Sequence, residues 1–193
     1  MGTNLNVLLL THGAGSNRNA PLLVAVANAF TEAGGEVIRY DLPFRQERPH
    51  GPPRPGDAAR DREGLREQVA KIRERNPERV WLGGHSYGGR QASMLAAEAP
   101  GLADALLLLS YPLHPPRKPE SLRTAHFPKI AMPALFVHGT RDPFGSIDEL
   151  KAALALIPAR TELLVVDGAG HDLGRDRAAV AARIVAAFRE LSV

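Results

Sequence analysis

Residues 80–90 read VWLGGHSYGGR, and within them Gly84-His85-Ser86-Tyr87-Gly88 sets a serine in the pattern G-x-S-x-G. A serine hydroxyl is a poor nucleophile at neutral pH. It becomes reactive when a sharp turn presents it to a base, and the flanking glycines leave room for that turn. The base would be an imidazole, and the imidazole in turn needs a carboxylate to orient it. Two later segments offer these groups. His138-Gly139-Thr140-Arg141-Asp142 follows an apolar run at 134–137, and Asp167-Gly168-Ala169-Gly170-His171 follows another at 162–166. The chemistry within reach of such a set is acyl transfer through a covalent serine adduct.

Five letters occur by chance in many chains, so the surrounding elements decide their weight. Here a Val-Trp-Leu strand precedes the serine and an Ala-rich helix follows it, as an elbow requires. Along the whole chain, short apolar runs alternate with longer segments of helical period. This is the βαβ pattern of a parallel sheet covered on both faces. Strands are expected at 5–10, 36–40, 80–82, 105–109, 134–137 and 162–166. Helices are expected at 21–32, 57–75 and 87–99. A fourth opens at Ser146 with Glu149 as its capping box and runs to 157, and the last carries Val180, Ile184, Phe188 and Leu191 on one stripe. Two Pro-rich stretches, 42–56 and 111–133, break the rhythm and read as long loops on the sheet's carboxyl edge, where open α/β folds place ligands.

The 193 residues suit one domain, 1–193, and 44% hydrophobic with 23% charged residues excludes disorder, a coiled coil or a collagen repeat. The absence of cysteine removes disulfides, thiol nucleophiles and thiolate metal sites. The net charge is +3, and its surplus lies in residues 45–79, which mix both signs as a solvated helix face does. Twenty arginines stand against four lysines with no aromatic interleaving, so no nucleic-acid partner is expected. The first residues do not read as a secretory signal, Met1-Gly2 lacks the Ser or Thr that myristoylation needs at the sixth position, and no run suits a membrane span. A soluble, cytoplasmic protein is expected. No H-E-x-x-H, P-loop or complete dinucleotide fingerprint is present, so neither metal nor cofactor is implied.

Taken together, LLLTHGAGSN, GGHSYGG, FVHGTRDPF and the GAGH ending at His171 resemble the α/β-hydrolases, and the order Ser86, Asp142, His171 is that family's order. The SYPLH stretch at 110–114 is further similar to a subfamily of small proteins related to dienelactone hydrolases, itself similar to a hydrolase-like subunit of a chromatin acetyltransferase complex. The resemblance implies Ser86 as nucleophile, His171 as general base and later general acid, and Asp142 as the acid that fixes the imidazole tautomer. It implies an oxyanion hole from the amides of Tyr87 and Ala14, with His12, Gly13 and His114 as candidates to border a small acyl substrate. Against this stand plainer readings of Ser86 as a turn serine, Asp142 as an Asx turn before Pro143 and His171 as a solvated loop residue. Asp167 and Asp172 are alternative carboxylates.

Because the His12-Gly13 loop follows the first strand, the fold implied is a minimal α/β-hydrolase fold: a six-stranded, mainly parallel sheet with helices on both faces and no large lid. The 111–133 stretch is expected to form a short, proline-stiffened rim to an exposed site. Ester, thioester and amide cleavage stay open, as does a catalytically idle binding or scaffold role. Arg45, Arg48, Arg90, Arg117 and Arg123 are candidates to favour an anionic substrate.

Overall fold

The computed structural model describes residues 6–192; Met1, Gly2 and Leu5, which enter the sequence reading, lie outside them. One sheet of six strands has the order β2-β1-β3-β4-β5-β6: β1 (Val7–Thr11), β2 (Glu36–Tyr40), β3 (Val80–His85), β4 (Ala105–Leu109), β5 (Ala134–Gly139) and β6 (Thr161–Val166). Every pairing is parallel. Successive side chains of a strand point to opposite faces. Leu8 and Leu10 accordingly join a core with α1 (Pro21–Glu32) and α6 (Arg177–Leu191). Val7 and Leu9 join the opposite core with α3 (Asp57–Arg73), α4 (Tyr87–Glu98) and α5 (Ile147–Leu154). With both faces covered, the inner strands are apolar on both sides, as in the VLLL of β1 and the ALLLL of β4; the half-buried edge strands β2 and β6 carry Glu36, Arg39 and Glu162.

Several boundaries differ from the sequence pattern, among them the ends of β1, β3, β5, α3 and α5. The apolar run of β3 stops at Leu82, yet pairing continues as Gly83↔Leu107, Gly84↔Leu108 and His85↔Leu109, because the ladder depends on backbone groups rather than on apolar side chains. Likewise β5 continues through His138 and Gly139. The capping box of Ser146 and Glu149 is formed, but α5 ends at Leu154.

The two Pro-rich stretches are more structured than expected. The first holds a short helix α2 (Pro43–Glu47), which at five residues is too brief to show a helical period. The second is only partly a rim. Residues 116–122 are exposed, but Tyr111, Leu113, Phe127 and Ile130 are fully buried against α4 and β5, and the Tyr111 hydroxyl donates to the Arg123 carbonyl at 2.6 Å. Large apolar side chains spaced along a proline-rich segment anchored it to the core, and the sequence reading gave them too little weight.

Two histidines tie these stretches down. His12 is fully buried; its Nε2 accepts from the Leu42 amide at 3.1 Å, so its Nδ1 carries the proton and donates to the Gly13 carbonyl at 2.9 Å. His126 meets the Ser93 hydroxyl of α4 at 2.8 Å. Burial lowers the pKa of His12, and burial with the guanidiniums of Arg90 and Arg62 pushes His126 down to about 4.

Two outcomes follow from this packing. Phe188 is fully buried in the last turn of α6, with its ring edge-to-face on Trp81 at 5.1 Å and Phe30 at 5.7 Å. Phe188→Ala should cost about 3–5 kcal/mol in urea unfolding, with an unchanged m-value. The unfolded chain takes up protons at its histidines near 6.5, whereas folded His12 and His126 resist them, so stability is lost as pH falls from 6.5 toward about 4. The urea midpoint should drop across that interval, and drop less steeply in His126→Gln; an equally steep drop in that variant would assign the acid sensitivity elsewhere.

Candidate active site

The chain passes from β3 into α4 through Ser86, whose backbone sits at φ 51°, ψ −117°. A non-glycine residue there costs on the order of 1–3 kcal/mol, so the surroundings must hold it. They do so from two sides: the Ser86 amide donates to the Leu109 carbonyl at 2.8 Å, and the Gly88 amide donates to the His12 carbonyl at 3.1 Å. The second contact needs glycine, since a Cβ on Gly88 would stand 2.5 Å from the His12 oxygen. The elbow thus sits between β1 and β3, where the strand order reverses and an open sheet offers a crevice.

His171, in the loop after β6, approaches this serine from the far side of the sheet edge. Its Nδ1 lies 2.8 Å from Asp142 Oδ2, and its Nε2 lies 2.8 Å from Ser86 Oγ. A carboxylate accepts only, so Nδ1 holds the proton and the bare Nε2 accepts the Ser86 hydroxyl. Asp142 has a fully buried side chain whose other oxygen accepts the Phe144 amide at 2.9 Å. The Phe144 ring lies 4.4 Å from that of His171 at 35°. The alternative carboxylates are occupied elsewhere: Asp167 with the Thr140 hydroxyl, and Asp172 with the Gly174 amide and Arg177.

The loops after β5 and β6 reach this register because they touch without side chains between them. A Cβ on Gly139 would fall 2.3 Å from the Ala169 carbonyl oxygen, and that oxygen accepts the Arg141 amide at 2.8 Å. The Thr140 hydroxyl accepts the Gly168 amide at 2.8 Å.

The Tyr87 amide opens α4, where helix geometry leaves N–H groups unpaired and the dipole favours negative charge. Neither it nor the Ala14 amide donates to another group among the described residues. Both are rigidly backed. The Tyr87 hydroxyl donates to buried Asp61 at 2.7 Å, whose other oxygen accepts the Phe44 amide at 3.0 Å, and burial raises the Asp61 pKa. Arg45 clamps the Gly13–Ser16 turn, donating to the carbonyls of Ala14 and Ser16 at 2.8 Å and of Arg48 and Gly51 at 3.0 Å.

Of the residues expected to border a substrate, Gly13 lies beside the serine: a Cβ there would sit 3.5 Å from Ser86 Cβ. His12 and His114 do not fit the expectation. Both nitrogens of buried His12 are used internally, as described above, and His114 is 5% exposed with Nδ1 on the Pro115 carbonyl at 2.8 Å and Nε2 facing Glu149 at 3.5 Å. A histidine at a strand's carboxyl end can serve the loop's own backbone as readily as a ligand. Nor are the arginines a free cationic rim. Arg45 is buried among carbonyls, Arg48 pairs with Asp57, and Arg123 donates to the Pro112 carbonyl at 3.3 Å, while Arg117 is exposed and the Arg90 Nε is buried with no partner among the described residues.

The sequence reading missed Asp61 and the clamping role of Arg45. Asp61 left a signal, standing four residues before Leu65 on the buried stripe of α3, a place where a carboxylate needs partners. Arg45 left none, because its partners are backbone carbonyls from four different positions.

Among the described residues no helix is long and apolar enough to cross a membrane. The sequence family described as "Alpha/beta hydrolase domain" matches residues 4–183. A dienelactone hydrolase from Anabaena variabilis ATCC 29413 superposes with a TM-score of 0.77 at 23% identity, covering 98% of this chain and 88% of that one. Est1E from Butyrivibrio proteoclasticus gives 0.79 at 16% identity, covering 97% and 88%. A protein of the hydrolases of the α/β superfamily from Xanthomonas campestris pv. campestris gives 0.70 at 27% identity, covering 95% and 98%. With the family match running over nearly the whole chain and six parallel strands beneath it, this protein belongs to the α/β-hydrolase family.

Proposed function

We propose that the protein is a serine hydrolase cleaving a carboxylic ester or related small acyl compound. The observation that carries this reading is the unbroken chain from Ser86 Oγ through the His171 ring to Asp142, with both links at 2.8 Å, on a serine in a strained turn. In this reading Ser86 Oγ attacks the acyl carbonyl carbon as its proton passes to His171 Nε2. Charge grows on the carbonyl oxygen, toward which the Tyr87 and Ala14 amides donate; each such donor is worth about 3–4 kcal/mol in the transition state. The carbon–oxygen bond to the leaving group then breaks, and the alcohol departs with the proton from His171. Water, deprotonated in turn by His171, attacks the acyl carbon; the bond from that carbon to Ser86 Oγ then breaks, Oγ takes the proton back from His171, and the acid is released. Asp142 remains ionised throughout and stabilises the imidazolium.

Arg45 and Asp61 contribute indirectly, by fixing the two donor amides before substrate arrives, which is what makes an oxyanion site effective. An ester is preferred over other acyl compounds because proteins of the same fold include a dienelactone hydrolase and a structure from a report on two lipolytic enzymes, LipS and LipT. No cofactor enters any step.

A fluorophosphonate probe should label the protein stoichiometrically at Ser86, as read by intact mass and peptide mapping, and Ser86→Ala should abolish the labelling. Asp142→Asn should lower turnover of small acyl esters by about ten-thousand-fold with the fold retained, because the imidazole then loses its orienting acceptor. A folded wild-type protein that the probe leaves untouched would instead favour an idle, scaffold-like site.

A further inference from the structure

His85, the variable residue before the serine, is turned away from the reaction. Its Nε2 lies 2.8 Å from the main-chain oxygen of His171. A carbonyl only accepts, so Nε2 carries the proton and donates it, leaving Nδ1 bare. That nitrogen faces Gly13, where a Cβ would stand 3.0 Å away, and the ring lies 5.1 Å from the His171 ring at 49°. His85 therefore fills the space between the donor loop after β1 and the loop after β6.

Burial pushes His85 down to about 4, so at neutral pH it is an uncharged donor and brings no competing cation beside His171. The side chain of His171 is held at both nitrogens by Asp142 and Ser86, while its carbonyl is held by His85 alone among the described side chains. The loop itself is short and turns tightly, with the Leu173 amide on the Gly170 carbonyl at 3.1 Å.

We propose that His85 is a positioning residue: its Nε2–H grips the His171 carbonyl and so keeps the His171 ring in line between Asp142 and Ser86. The inference rests on the reading of His171 as the base. Because the grip joins β3 directly to the loop after β6, it fixes the serine and its base to each other rather than each separately to the sheet. A displacement of about 1 Å in such a pair can cost up to about a hundredfold in rate.

The test compares wild type with His85→Leu, which removes the donor, and His85→Gln, whose amide N–H reaches a similar position. The readouts are kcat and KM for p-nitrophenyl acetate, the rate of fluorophosphonate labelling, and the downfield proton resonance of the His171 Nδ1–H bonded to Asp142. We expect His85→Leu to lower kcat and the labelling rate by about 10–100-fold at unchanged KM and to broaden or lose the resonance. His85→Gln should restore all three to near wild type. Should His85→Leu fail to fold, His85→Asn, polar but too short to reach the carbonyl, carries the same expectation. Wild-type behaviour of the donor-less variant, or equal loss in His85→Gln, overturns the proposal. If wild type neither hydrolyses nor labels, the hydrolase reading falls, and the resonance alone decides this one: loss in His85→Leu with recovery in His85→Gln supports the grip, and no change refutes it.

Discussion

The arrangement depends on a single imidazole held at both of its nitrogens. His171 meets Asp142 and Ser86 at 2.8 Å each, and the two partners come from the ends of different strands, β5 and β3. Hydrogen bonds tolerate only a few tenths of an ångström, so three loops must be held in mutual register before any chemistry is possible. An all-parallel sheet meets part of that demand, since it brings the carboxyl ends of β1, β3, β5 and β6 to one edge. Strand alignment alone leaves the loops free by several ångströms, and close backbone approaches remove that freedom.

Those approaches occur where side chains would intrude. Gly88 lets α4 rest on the carbonyl of His12, and Gly139 lets the loop that carries Asp142 rest on the carbonyl of Ala169. The strain at Ser86 is sustained by the same contacts, because its amide and that of Gly88 are bonded in opposite directions, to β4 and to the end of β1. Strain of this kind survives only where the surroundings over-determine it.

Around Ser86, His171 and Asp142 lies a ring of buried and half-buried polar groups that take no direct part in the proposed reaction. Asp61 holds Tyr87 and Phe44, Arg45 holds the Gly13–Ser16 turn, His12 holds Leu42, and His85 holds His171. Buried Asp61, Arg45 and His12 have their polar atoms met by named partners, as burial requires, while half-buried His85 uses Nε2 and leaves Nδ1 bare. Their common effect is rigidity at the strand ends, where irregular loops would otherwise be mobile. The 111–133 stretch follows the same rule, its buried Tyr111 and Phe127 turning a presumed rim into part of the wall.

By itself the sequence determined the fold class, the order of the strand-end motifs along the chain and the candidacy of Ser86, Asp142 and His171. Local signals of short range carry all three: apolar period, glycines around a serine, and strand-end motifs in a fixed order. The sequence favours Asp142 over Asp167 and Asp172 by its motif and place in the chain, but only the tertiary structure brings its carboxylate to His171 and turns the other two elsewhere. The tertiary structure also decided that His12 and Arg45 spend their polar atoms on backbone groups, and that His114 divides its own between the Pro115 carbonyl and the Glu149 carboxylate. The reason is physical: a polar side chain's role is set by the partners within about 3 Å of it. For these residues the partners lie far away along the chain or in backbone atoms, which every sequence has alike.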